Sequence, residues 1–187
     1  MIMPGPRRQA AYLGLRKVVS GGQSGVDRAA LDAALAAGLV IGGWCPRDRS
    51  AEDGQIHSRY PLQPAPLVRP CCRTLLNMRD SDGTLVLVRS RPKGGTALTA
   101  RALGGVRPRL VQDPTMVGSL RRTRWWLIRY DIGCLNVGGP RASEDPAMHD
   151  LARRFLDALF QSAPHLRQKI RLPDDKFCAV FHPHRSN

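Results

Sequence analysis

The sequence predicts an α/β domain built on a mostly parallel sheet, and three observations predict it. Short apolar runs alternate with helical patterns along most of the 187 residues. Several of those runs end directly in glycine, as strand-to-helix turns do. The length suits one globular core and leaves little room for a second.

The elements follow in order. KVVS (17–20) is a short apolar run that ends at glycines and fits a buried strand. Val26, Ala29, Ala30, Ala33, Ala34 and Ala37 then recur at helical spacing, giving a face of small residues, and Gly38 ends that helix. LVIGGW (39–44) predicts a second strand, and the proline-rich stretch after it predicts a long functional loop. CCRTLLNMRDSD (71–82) predicts a helix, TLVLV (84–88) a strand, TALTARALGG a short helix and PRLVQ (108–112) a strand. A helical stretch containing Trp125 and Trp126 comes next, then the strand CLNVGGPR (134–141). The last helix is expected to start at Asp145-Pro146, with Met148, Leu151, Ala152, Phe155, Leu156 and Leu159 on its apolar face. The expected organisation is a loose leader over 1–15, a Rossmann-like three-layer ligand-binding domain over 16–161, and an appendage over 162–187.

Formal net charge is +14, which favours anionic partners. The arginines are spread along the chain, so this balance suits a compositional habit as well as a nucleic-acid footprint. Nucleic acid is therefore kept as a lesser candidate partner. There are five cysteines, an odd number, without C-x-x-C spacing or a preceding apolar signal segment. The expectation is reduced thiols in the cytoplasm, with no metal site and no membrane partner.

The functional signal lies in three glycine loops, at 20–25, 93–96 and 138–141, each following a strand. In a parallel sheet such loops share the carboxyl edge, where ligands bind. Glycines let the backbone approach an anion closely, and helix N-termini add partial positive charge. Candidate anion contacts are Ser20, Gly21, Gly22, Gln23, Ser24, Gly25, Lys93, Gly94, Gly95, Thr96, Thr99, Gly138 and Gly139, with Arg28 and Arg141 supplying charge. GGQSG does not match G-x-G-x-x-G, and RPKGGTALT is not a Walker loop. The plainer alternative is that these glycines only shape turns. Asp27 can hold a ligand hydroxyl or simply complement the helix dipole. Trp44 is a candidate to stack on a heterocycle. Arg47 and Arg49 are candidates for phosphate, and Glu52 or Asp53 for pairing with them. Asp82 is expected to serve a turn at the opposite edge of the sheet.

SGGQSGVDRAALDAAL, GGWCPRDRSAEDG, YPL, RTLLNMRDSDGTLVL, GGTALT and LNVGGPR resemble, in that order, the putative molybdenum carrier family. The likeness spans about residues 17 to 160. The wider Rossmann-like superfamily includes cytokinin-activating phosphoribohydrolases and DNA-processing protein A. The resemblance implies a cytoplasmic, homo-oligomeric binding protein for a phosphorylated small molecule, either molybdenum cofactor or a nucleotide-like ligand. In the phosphoribohydrolases an arginine precedes a strand; Arg73, nine residues before Asp82, resembles it. Their P-G-G-x-G-T-x-x-E glutamate is replaced here by Thr99, which cannot act as a carboxylate base. The resemblance thus points to binding rather than hydrolysis. The rivals are a phosphoribohydrolase-type enzyme with a displaced acid, Glu52 or Asp53, and a single-stranded DNA-binding module. Cys45 can serve as a soft ligand for molybdenum, although such a residue is more often merely buried.

Overall fold

The computed structural model describes residues 14–68, 70–90 and 107–161. In chain order the elements are β1 (Lys17–Val19), α1 (Val26–Ala36), β2 (Val40–Gly42), β3 (Trp44–Cys45), β4 (Ser50–Ala51), β5 (Gly54–Gln55) and β6 (Gln63–Pro64). They continue with α2 (Pro70–Arg79), β7 (Gly83–Leu87), β8 (Arg109–Gln112), α3 (Ser119–Arg129), β9 (Cys134–Gly138) and α4 (Met148–Phe160).

Five strands form one parallel sheet in the order β2-β1-β9-β7-β8. The fold is the Rossmann-like α/β architecture that the alternation of elements predicts. The chain runs outward from β1 to β2, crosses to β7, runs outward again to β8, and returns to insert β9 between β1 and β7. Right-handed crossovers therefore put α1 and α3 on one face and α2 on the other. The direction of travel reverses beside β1, so the loops after β1 and β9 open a crevice at the carboxyl edge.

The expected small-residue face of α1 is buried in full, from Val26 to Ala37. It packs closely on α4 as well as on the sheet. The α4 face is buried at Met148, Ala152, Phe155, Leu156 and Leu159, with Leu151 half-buried. β7 is buried at every position, as expected for a strand covered on both faces. Trp126 sits in the core and Trp125 packs against it. Asp82 accepts the amides of Gly133 (3.1 Å) and Cys134 (2.7 Å), fastening the turn before β9.

Three expectations need correction or limits. LVIGGW is not one strand: a Cβ at Gly43 would meet the Ser20 backbone, so the chain leaves the sheet there, and Trp44–Cys45 pairs instead with Gln63–Pro64. The last helix starts at Met148, two residues after Pro146, its expected first helical residue. Asp145 instead closes a preceding turn through the Ala147 amide (3.3 Å) and pairs with Arg89 (2.7 Å). The helix expected over TALTARALGG lies outside the described residues. Among the described residues no helix is long and apolar enough to cross a membrane.

Candidate ligand-binding site

The loop after β1 is tied to β9 before it reaches α1. Ser20 is fully buried and its hydroxyl donates to the Val137 carbonyl at 2.7 Å. Gly25 turns the chain at φ 77°, ψ −130°, against the carbonyl of Pro140. The Val26 amide donates to that same carbonyl at 3.2 Å, and the Ala142 amide donates to Ser24 Oγ at 3.1 Å. Gly139 lies against the Leu87 carbonyl and Val26. Two of the expected glycine loops are thus interlocked on one rim.

Gly21 is required by what lies beneath it. A Cβ there would collide with the Arg73 guanidinium and come within 2.8 Å of Asp27 Oδ2. Arg73 reaches this point from the first turn of α2, and Asp27 from the first turn of α1. Their charged groups are 3.7 Å apart and mostly buried. Arg73 also donates to the Gly21 carbonyl at 3.2 Å, and the Gln23 amide donates to Asp27 at 3.3 Å. Burial pushes the Asp27 carboxyl above its ordinary range. Arg73, the Gln23 amide, the Ser20 hydroxyl and Arg141 all pull it back, and desolvation wins. Arg73 and Arg141 both border the pit, as do Asp27 and Glu144.

Two spaces open above this pair. One is a polar pit of about 60 Å³, floored by Asn136, Gly138 and Asn77. The other is a cleft of about 690 Å³, lined among others by Pro46, Leu67 and Val68 and by the charged Arg47, Asp48 and Glu52. Gln23, Arg73 and Arg141 line both, so the two are one site with a waist. Its volume lies within the usual range for small-molecule sites, roughly 300–1,000 Å³.

Of the residues expected here, Gly21, Gln23, Asp27, Arg73, Gly138, Gly139 and Arg141 line the pit. Ser20, Gly22, Ser24 and Gly25 shape its rim: Gly22 packs on Leu62 and Ile56, and Ser24 Oγ is hydrogen-bonded to Glu52. Two residues are directed elsewhere. The Trp44 indole donates to Asp80 at 2.8 Å, beyond the end of α2, and lines neither space. Arg28 makes a bidentate pair with Asp53. Lys93, Gly94, Gly95, Thr96 and Thr99 lie outside the described residues. Arg47 lines the cleft, but Arg49 clamps its own loop, donating to the carbonyls of Leu62 (2.7 Å) and Tyr60 (3.2 Å). Neither arginine pairs with Glu52 or Asp53 as expected. Glu52 instead accepts from Ser24 and from the Ser143 amide (3.0 Å) and hydroxyl (2.5 Å), which hold its carboxyl below the usual range. Cys45 is fully buried, and its thiol is pushed up by that burial.

Asn77 and Asn136 were not expected. Each carried a signal: Asn77 stands four residues after Arg73 and so shares its helical face, and Asn136 interrupts an apolar strand.

A family model, the circularly permutated YpsA SLOG family, matches residues 18–160. The chain belongs to that family. Among solved structures, the putative molybdenum carrier protein from Syntrophus aciditrophicus is similar at 37% sequence identity. That match covers 78% of this chain and 95% of the other, with a TM-score of 0.75. The SLOG family assignment and this likeness agree with the resemblance carried by the glycine-loop motifs. No curated protein matches the chain.

Proposed function

We propose that this SLOG protein binds a phosphorylated small molecule, either molybdenum cofactor or a nucleotide-like compound, with its phosphate in the pit and its body in the cleft. One observation carries this reading: Arg73 is held by Asp27 and the Gly21 carbonyl at a glycine rim, and Arg141 lines the same pit. A guanidinium so placed meets phosphate in a planar, two-pronged geometry. Among the described residues the pit and cleft together have the volume of a small-molecule site, which favours a small molecule over single-stranded DNA.

Molybdenum cofactor fits at its phosphate end, where Arg73 and Arg141 would hold it. At the metal end, Cys45 is sealed in the core, and no group of three or more His, Cys, Asp or Glu side chains gathers among the described residues. The protein would thus hold such cargo by its phosphate and pterin. The enzyme reading gains little from the two carboxylates offered as a displaced acid. Glu52 is held ionised by Ser143 and Ser24, and Asp53 is engaged with Arg28.

Titration calorimetry with inorganic phosphate and AMP tests this. The wild type should bind both, and Arg141→Ala should weaken both by about tenfold or more, the loss of one charge-assisted hydrogen bond. Affinity unchanged in Arg141→Ala, or no binding by the wild type, would count against the pit as the phosphate site. Native mass spectrometry of the purified protein should show a co-purifying phosphorylated molecule.

A further inference from the structure

Arg73 is carried by a helix that has little apolar purchase. Over residues 71–79 of α2, Asn77 alone is buried, and Leu75 is 50% exposed. A surface helix ordinarily takes its position from a buried apolar stripe, and among the described residues α2 shows none. Its setting against the crevice must come from polar ties.

Those ties converge on one strand residue. The Trp44 amide donates to Asn77 Oδ1 at 2.7 Å, and Asn77 Nδ2 donates back to the Trp44 carbonyl at 2.9 Å. Both ends of the side-chain amide are thus engaged by the backbone of a single β3 residue, which fixes the helix in height and in rotation. The anchor is firm, since β3 pairs with β6. A Cβ on Gly43, the residue before Trp44, would collide with the Ser20 backbone and with Asn77 Oδ1, so three segments meet there without slack. The Trp44 indole adds a second tie through Asp80, past the end of α2.

Arg73 stands one turn before Asn77 on the same side of the helix, about 6 Å along its axis. Its bond to the Gly21 carbonyl is 3.2 Å, at the long end for such a bond, so a small shift of α2 would break it. We propose that Asn77 is a positioning residue: by clamping α2 to the Trp44 backbone it sets Arg73 at the depth where the pit grips an anion. This rests on the phosphate-binding reading above. Asn77 borders the pit, but its two polar atoms are engaged with Trp44, so it acts through Arg73.

The test combines two measurements on the full chain, wild type and Asn77→Ala. The first is calorimetry with inorganic phosphate, where Asn77→Ala should bind about tenfold more weakly, the worth of one charge-assisted hydrogen bond. The second is limited reaction with phenylglyoxal, an arginine-selective reagent, read residue by residue by peptide mass spectrometry. In the wild type Arg73, 13% exposed, should react far more slowly than Arg79 of the same helix, 65% exposed. In Asn77→Ala the rate at Arg73 should rise toward that of Arg79, while Arg49, pinned in its own loop, should stay slow. Asn77→Ser, which keeps a hydroxyl for one of the two Trp44 groups, should show the same changes in smaller measure, and it decides the matter where the alanine variant does not fold. Unchanged phosphate affinity, an unchanged rate at Arg73, or rates that rise together at Arg73 and Arg49 would overturn the positioning role and leave the phosphate reading standing. A wild type that binds no phosphate would remove both.

Discussion

Asp27 and Arg28 are consecutive in the first turn of α1, and each meets an opposite charge brought from a distant segment. Asp27 faces Arg73 inside the pit, with side-chain exposures of 12% and 13%. Arg28 faces Asp53 on the surface, where Asp53 is 45% exposed. The surface pair is bidentate and short, while the buried pair stands 3.7 Å apart. By geometry alone the surface pair looks the stronger. By environment the buried pair governs more, because water screens one and not the other. The first turn of one helix thus serves two ends: it seats a guanidinium for a ligand, and it fastens the loop that forms the cleft wall.

Removing Arg73 should break this comparison most severely. Arg73→Ala takes away the largest of the influences that offset the burial of Asp27. Breaking a buried pair by deleting one partner costs about 3 kcal/mol, the low end of the observed range, since Asp27 can take up a proton in compensation. Denaturant unfolding should show that loss, and calorimetry should show phosphate binding abolished. A loss below about 1 kcal/mol with binding retained would place Arg73 among the surface arginines in its effect.

Asp27→Asn sharpens the comparison through pH. An acid whose native pKa is raised binds its proton more tightly folded than unfolded. It therefore contributes stability that is fully present below the ordinary value of 3.8 and is lost as pH rises through the raised native value. The asparagine variant has no proton to lose. The stability of Asp27→Asn relative to wild type should accordingly be lowest in acid and climb as pH rises through that window toward neutrality. Melting curves at a series of pH values measure it. The opposite slope would mean that attraction to Arg73 outweighs desolvation.

The two regions also differ in how far the sequence revealed them. The glycines at 21, 25 and 139 were legible because only a residue without a Cβ permits the close approach or the positive φ that a strand-to-helix turn requires. The alanine face of α1 and the apolar face of α4 were legible because helical periodicity dictates burial. Trp44 misled, because its aromatic face was the visible property and its indole N–H decided its placement on Asp80. Arg49 misled in the same way: its charge suggested phosphate, yet carbonyls of its own tight loop claimed its two terminal nitrogens. Such contacts join residues many positions apart through a stretch without periodicity, which no local pattern encodes. Arg73 became legible only through a family likeness, since nothing local marks one arginine among many as the one that turns inward.

The smallest expected effect belongs to the surface pair. Asp53→Asn removes the charge opposite Arg28 but leaves a residue of the same shape at the tip of the β4–β5 hairpin. Exposed ion pairs contribute about 0–1 kcal/mol, and the bidentate geometry places this one toward the upper part of that span. Glu52 continues to tie the same hairpin to Ser24 and Ser143, so the cleft wall should stay in place. Unfolding free energy should fall by about 0.5 kcal/mol at low salt, and the difference should vanish near 1 M salt, where the screening length drops to about 3 Å. Phosphate affinity should be unchanged. A large loss of binding in Asp53→Asn would show that the hairpin's position, rather than the Asp27–Arg73 pair, sets the strength of the site, and the contrast between the two neighbours on α1 would then reverse.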